Sequence, residues 1–272
     1  MQAQPTTANL KFLANLDEPL VYIPSKGGGD ETDHIGNFTT QEVSVYDGRR
    51  NKASSSLDVE GFQLVSQKTA VDDFYDDLKV EQTYHEEVKA LLTELTGAAR
   101  VEIFDDTRRT SSIDQQRLKN IREPAEIIHN DYTAASSIKR LRDYFADAPD
   151  EAERLLQRRF AIVNVWRSIA GTVYNHPLVL CDATTLRAED LISMERRAED
   201  RIGELQVALY DSGQRWYYFP EMRMDEALVF KTFDSEVDGR ARFTIHTSFQ
   251  VPGIGGDVPA RESIETRCFL FF

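Results

Sequence analysis

Cysteine is scarce in this chain. Two among 272 residues, Cys181 and Cys268, cannot build a disulfide framework, and both stand in apolar runs that suit buried thiols. Long apolar runs are absent too. None reaches the roughly 18 residues that a bilayer-spanning helix needs, and the stretch from Met1 to Leu10 is polar, without the apolar core of a signal peptide. Positive charge is the minority: 32 Lys and Arg face 46 Asp and Glu, a net charge of −14. Nucleic acid is therefore excluded as a natural partner, because phosphates would be repelled. The charge itself reads as solubility. No glycine-rich loop follows a strand and opens a helix. Gly27-Gly28-Gly29 is a loop, so a nucleotide or S-adenosylmethionine site, and with it methyl transfer, is a poor reading. Internal repeats and low-complexity tracts are missing. These absences leave a cytoplasmic protein in reducing surroundings with no membrane segment.

The chain is long enough for a substantial core. Residues 1–65 read as an N-terminal extension packed on that core, with short strands at Glu42–Tyr46 and Leu57–Leu64. Asp72 to Thr96 reads as a helix: Phe74, Leu78, Tyr84, Val88, Leu91, Leu92 and Leu95 recur at helical spacing, and Gly97 stops the run. The acids at Asp72-Asp73 and Asp76-Asp77 suit its solvated N-terminal end. A strand follows at Arg100–Phe104, then helices at Ala134–Phe145 and Ala148–Arg159. From Phe160 onward the pattern is β, with strands at Phe160–Arg167, Leu178–Cys181, Glu204–Tyr210, Trp216–Phe219, Ala227–Thr232, Ala241–Phe249 and Ser263–Phe272. Helices first and many strands after give an α+β protein with one β core.

Chemistry is concentrated at His129-Asn130-Asp131, with His246 far downstream and Arg261-Glu262-Ser263 beyond it. Side chains repeat every two residues on a strand face, so His129 and Asp131 on a strand point the same way and can touch one metal. His246 lies 246 − 129 = 117 residues on, in a segment whose polar face carries Thr244, His246 and Ser248. Two histidines and one carboxylate are the facial ligand set of a non-haem Fe(II) oxygenase, and they leave three positions open. Arg261 supplies a planar fork suited to a carboxylate. Ser263, two residues on, shares its strand face; Arg267 is the substitute for Arg261. Asn164, Arg167, Trp166, Tyr132 and Tyr218 are candidates for the substrate pocket, with barrel packing the alternative for the aromatics and an ion pair with Asp182 or another acid for Arg167. His85 reads as solvated on its helix, and His176, before Pro177, as structural.

At these residues the chain resembles a known group. It is similar to the gibberellin-desaturase-like, or cephamycin methoxylation protein-like, family of Fe(II)/2-oxoglutarate oxygenases. The likeness runs from about residue 40 to the C-terminus. It rests on Val101-Glu102-Ile103-Phe104-Asp105-Asp106-Thr107, His129-Asn130-Asp131-Tyr132-Thr133, Asn164-Val165-Trp166-Arg167, Trp216-Tyr217-Tyr218-Phe219-Pro220, Asp225-Glu226-Ala227-Leu228 and Arg261-Glu262-Ser263-Ile264-Glu265. The resemblance implies a double-stranded β-helix (jelly-roll, cupin-like) core with flanking helices over one domain, 1–272. It implies Fe(II) on His129, Asp131 and His246, with 2-oxoglutarate held by Arg261 and Ser263, and O2. The expected reaction is oxidation of an unactivated C–H bond of a small secondary-metabolite-type substrate, by hydroxylation, desaturation or cyclisation. Asp106 stands where the family usually has His, Ser168 where Pro follows Arg167, and the bulge around Ala170 to Asn175 also differs; these departures fall near expected pocket walls.

Two other functions remain open. A 2-oxoglutarate-independent Fe(II) oxidase of the isopenicillin N synthase type would use Arg-x-Ser for a substrate carboxylate. A non-catalytic accessory protein would keep the fold and lack the metal. A carboxylate-bearing substrate is favoured, with Arg167 as a second anion contact. Substrate identity and oligomeric state are not readable.

Overall fold

The computed structural model describes residues 4–17, 19–52, 54–199 and 201–272, so Met1–Ala3 of the polar start lie outside it. In chain order come β1 (Thr6–Leu13), β2 (Val21–Ile23), β3 (Asp33–Ile35), β4 (Phe38–Asp47), a short helix α1 (Gly48–Asn51) and β5 (Phe62–Ser66). Helix α2 (Asp77–Lys79) runs through a π-helical turn (Val80–Tyr84) into α3 (His85–Thr96). Next are β6 (Arg100–Thr110), α4 (Ile113–Lys119), β7 (His129–Asn130), α5 (Ala134–Tyr144) and α6 (Pro149–Leu156). The rest is mainly β: β8 (Phe160–Ser168), β9 (Leu178–Cys181), β10 (Leu191–Arg197), β11 (Ile202–Ala208), β12 (Trp216–Tyr218), β13 (Glu226–Asp234), β14 (His246–Ser248) and β15 (Glu262–Phe271).

These strands form a large curled sheet in the order β1-β4-β12-β9-β14-β7-β11-β10-β2-β3 and a smaller one in the order β5-β13-β8-β15-β6. The architecture is a mixed α and β one. The sheets face each other across a cluster that draws Phe62, Trp166, Leu228 and Phe230 from the small sheet and Leu178, Leu180 and Tyr217 from the large one. The outer face of the small sheet is covered by the helix, whose Val80, Tyr84, Val88 and Leu92, four residues apart, pack on Val163, Val165, Val229 and Leu270. Helices α5 and α6 close one end through Leu141 and Ala152 against Phe160, Ile162, Phe269 and Phe271. The described residues up to Ser66 supply β1 to β4 of the large sheet and β5 of the small one, so the expected extension is built into both sheets. Both cysteines are buried free thiols.

Several expected elements shift for identifiable reasons. The first helix starts at Asp77 and not Asp72, because the Asp76 carboxylate caps it by accepting from the Leu78 and Lys79 amides. Leu78 then falls in an exposed first turn. Gly97 ends the helix in the left-handed region, at φ 70°. The expected strand Ala241–Phe249 is reduced to His246–Ser248. Upstream of it, the Ala241 amide goes to the Asp58 carbonyl and the Thr244 amide to the Asn130 side chain, so no ladder forms. Strand β10 and helix α4 are additions; the sequence LISMERR ends in charges and carries little apolar alternation.

Asp234, at the end of β13, is fully buried and ties that strand to the chain entering β8. It accepts from Arg159 Nε and Nη2 at 3.2 and 2.8 Å and from Lys231 Nζ at 2.8 Å. Burial raises its carboxyl, but the Arg159 and Lys231 hydrogen bonds outweigh this and hold it below the usual range. Its contribution is thus full above the unfolded value near about 4 and lost as pH falls through the lowered folded value. Urea unfolding at pH 7 should find Asp234→Asn less stable by about 1.5 to 3 kcal/mol, since Lys231 and Arg159 each lose a charged hydrogen-bond acceptor and keep only the half-exposed Asp58. The deficit should shrink when the measurement is repeated below about pH 4.

Candidate metal centre and active-site cavity

The wide sequence gap between the histidines closes in one step of sheet pairing. Strands β7 and β14 are antiparallel neighbours, and His129 and His246 stand directly opposite each other. Their ring centroids are 4.5 Å apart. Asp131 lies just past the end of β7, its Oδ1 3.6 Å from His129 Nε2. One ligand atom from each of His129, Asp131 and His246 lies within 4.8 Å of the others. Asn130 fixes this corner: its Nδ2 donates to the Tyr132 and Thr232 carbonyls and to Gln206 Oε1, and its Oδ1 accepts from the Thr244 amide.

Protonation suits a cation. His129 Nδ1 donates to the Ile127 carbonyl at 2.8 Å and His246 Nδ1 to the Thr244 carbonyl at 3.0 Å. Each bond selects the tautomer with a lone pair on Nε2. Burial, then the neighbouring His246, pushes His129 down to about 4 despite Asp131. Burial lowers His246 as well, against the pull of Asp131. For Asp131, burial works upward, but Arg267 and the two histidines outweigh it and hold the carboxyl well below its ordinary range. Two neutral imidazoles and one carboxylate are the deprotonated ligands that a divalent ion requires. Adjacent ligands on a six-coordinate ion lie about 3 Å apart for bonds of about 2.1 Å, so the residues fit such an ion after a small contraction.

Asp131 is held from the opposite sheet. Its Oδ2 accepts from Asn164 Nδ2 at 2.7 Å and from Arg267 Nε at 2.8 Å. Asn164 on β8 and Arg267 on β15 are themselves direct cross-strand partners. Arg267 also binds Asp105, Thr107 and Glu265. Asn164 therefore positions the carboxylate; the sequence had placed it in the substrate pocket. Arg267 appeared there only as a substitute for Arg261.

The other expected residues separate. Arg261 is buried, donates to the His176 carbonyl and through Nε and Nη2 to Ser263 Oγ, and stacks over Trp166 at 5.2 Å. No carboxylate among the described residues pairs with it. Burial and then Arg109 push it down to about 9. Arg167 does not join the site. Strand alternation sends it to the outer face of β8, where it bonds Gln67 and lies over the Tyr84 ring, unpaired with Asp182. Asp182 instead binds Lys52. Tyr218 packs on Phe249 in a cluster with β1 and β4, while its neighbour Tyr217 faces the inter-sheet core. Trp166 is buried in that core. His85 is not solvated: its Nε2 lies 2.6 Å from Asp106 Oδ2.

A cavity of about 440 Å³ opens beside the triad, within the usual size for small-molecule sites. His129, Asp131, Tyr132 and Arg267 line it, together with Asp106, one of the family departures. Arg109, Arg122 and Arg196 also face it, and no motif had singled them out. Arg261 and Ser263 are not among its lining residues.

Residues 10–271 match the model of a family described as an oxidoreductase/YMDC permease-like domain. The chain is 32% identical to "Hydroxylase/desaturase CTB9" of Cercospora beticola over 91% of its own length and 83% of that protein. It is 31% identical to "Fe(II)/2-oxoglutarate-dependent dioxygenase nvfI" of Aspergillus novofumigatus, over 86% and 84%. A solved structure of the iron and alpha-ketoglutarate-dependent endoperoxidase NvfI superposes with a TM-score of 0.84 at 28% identity, covering 98% of each chain. The chain therefore belongs to the oxidoreductase family of these fungal Fe(II)/2-oxoglutarate-dependent dioxygenases, whose cofactors are Fe(II), 2-oxoglutarate and O2.

Proposed function

We propose that His129, Asp131 and His246 hold the catalytic iron, and that the protein oxidises an unactivated C–H bond of a small secondary-metabolite-type molecule in the 440 Å³ cavity. The observation that carries this is the pairing of His129 with His246 across β7 and β14, with Asp131 beside them. Iron bound there with 2-oxoglutarate and O2 supplies the oxidising power for C–H cleavage. The chain's own part is positional. The carbonyls of Ile127 and Thr244 aim the two imidazoles, and Asn164 with Arg267 holds Asp131 Oδ2 so that Oδ1 is presented. Tyr132 lines the cavity and restricts what lies near the ligands.

Arg261 is the proposed partner of the distal carboxylate of 2-oxoglutarate, oriented by Ser263. Its buried charge lacks an acidic partner among the described residues, which favours an incoming carboxylate. Contact requires the packing around it to open. The two facing sheets and the spacing of the ligands support a double-stranded β-helix, one domain over 1–272, and the gibberellin-desaturase-like or cephamycin methoxylation protein-like branch. The relatives' names cover hydroxylation, desaturation and endoperoxidation. Family membership thus sets the cofactors and leaves the product to the cavity.

Anaerobic calorimetry with Mn(II) and then 2-oxoglutarate tests the reading. Wild-type protein should bind one Mn(II) per chain and then 2-oxoglutarate. Metal binding without 2-oxoglutarate binding would favour the isopenicillin N synthase type of oxidase, and no metal binding the accessory protein. In the same titration His129→Ala or Asp131→Ala should lose more than about 100-fold in Mn(II) affinity, beyond what loss of a supporting contact produces. Asn164→Ala leaves the three ligands and removes only a bond to Asp131. Its Mn(II) affinity should fall about 10- to 100-fold with the folded spectrum retained.

A further inference from the structure

The protein carries a net charge of −14, yet one wall of its cavity carries arginines that pair with no acid among the described residues. Arg109 comes from β6 and Arg122 from the segment after α4, at positions bridged to each other. Arg196 comes from β10, with Arg201 beyond it. Arg109, Arg122 and Arg196 are half-buried. Arg109 Nη1 donates to the Glu123 carbonyl. Among the described residues, the Arg122 and Arg196 side chains make no hydrogen bond or ion pair.

The acids on the same walls are already engaged. Asp105 and Asp131 take Arg267, Asp106 takes His85 and Thr266, Asp143 takes Lys139, and Glu204 accepts from the Thr133 hydroxyl. Burial and then the neighbouring Arg109 and Arg196 push the Arg122 guanidinium below its ordinary value. Burial and then Arg201 and Arg267 do the same to Arg196. Like charges gathered in a half-dry cavity repel one another, and an entering anion relieves that repulsion. Arg261, which also lacks an acidic partner among the described residues, does not line this cavity. Guanidinium groups suited to an anion thus stand both in this cavity and outside it, and 2-oxoglutarate has one distal carboxylate.

We infer that Arg122 and Arg196, assisted by Arg109, bind a carboxylate of the molecule that is oxidised, making the substrate an organic acid lying across the cavity toward His129 and Asp131. This rests on the oxygenase reading above and names the substrate class for it. Arg167, the sequence's choice for that contact, is on the wrong side of β8.

The first arm of the test uses sulfate on metal-free, full-length protein, in thermal unfolding at fixed ionic strength. Sulfate offers several oxygens to a guanidinium fork and is small for the cavity. Wild-type Tm should rise saturably. Arg122→Met/Arg196→Met should keep only the general, non-saturating effect of the salt, with apparent affinity down about tenfold or more. Should that variant fail to fold, Arg196→Lys keeps the charge, loses the fork and should show a smaller loss. Absent saturation in the wild type, or equal responses in wild type and variants, would overturn the inference. The second arm titrates 2-oxoglutarate into Mn(II)-loaded protein. Affinity unchanged in Arg122→Met/Arg196→Met leaves the arginines to the substrate. A loss of about tenfold or more there would assign them to the co-substrate and overturn the inference. Wild-type protein that responds to sulfate but binds neither Mn(II) nor 2-oxoglutarate would sink the oxygenase reading instead, leaving an anion site without that chemistry.

Discussion

Register is the constraint on which everything else depends. His129 and His246 meet because β7 and β14 pair with those residues opposite each other. A slip of one residue would turn an imidazole to the other face of the sheet. Both strands are very short, so their own ladder bonds are too few to secure the register. Asn130 supplies what they lack, by bonding to β11 and β13 and to the backbone ahead of β14. A buried amide with all these bonds satisfied resists sliding, because a slip would leave it unpaired in a dry interior.

The carboxylate arm follows the same logic from across the interior. Asn164 and Arg267 face one another on β8 and β15, and both reach Asp131 Oδ2. Two cross-strand pairs, one in each sheet, therefore converge on one small volume. The guanidinium keeps Asp131 ionised against its burial, and burial keeps the imidazoles neutral. Environment alone gives the three groups the charge states they need.

Much of this was legible in the sequence. The His-x-Asp spacing and the remote histidine follow from period-two patterning, and strands such as Leu178–Cys181 from short apolar runs set between turn residues. What failed was largely parity and partnership. Asn164 and Arg167 are three residues apart, so a strand must send them to opposite faces, yet both had been given to the pocket. Tyr217 and Tyr218 divide for the same reason. Arg267 reads as an ordinary strand arginine until β15 is known to lie beside β8. Arg122 follows a helix that was not expected, and Arg196 stands on a strand whose charged end hides it. Which isolated arginines share a cavity is decided by pairings between distant segments, and a one-dimensional pattern does not hold that information.

The ligand frame and the cavity wall are drawn from different parts of the chain. Strands β7, β14, β8 and β15 carry the proposed ligands and the two residues that hold Asp131, whereas Arg122 and Arg196 come from the loop after α4 and from β10. On the proposed reading, substitutions at Arg122 and Arg196 would change the guest without touching His129, Asp131 or His246. A lineage built this way would diversify its chemistry by exchanging wall residues, and an engineer seeking a new guest would begin at β10.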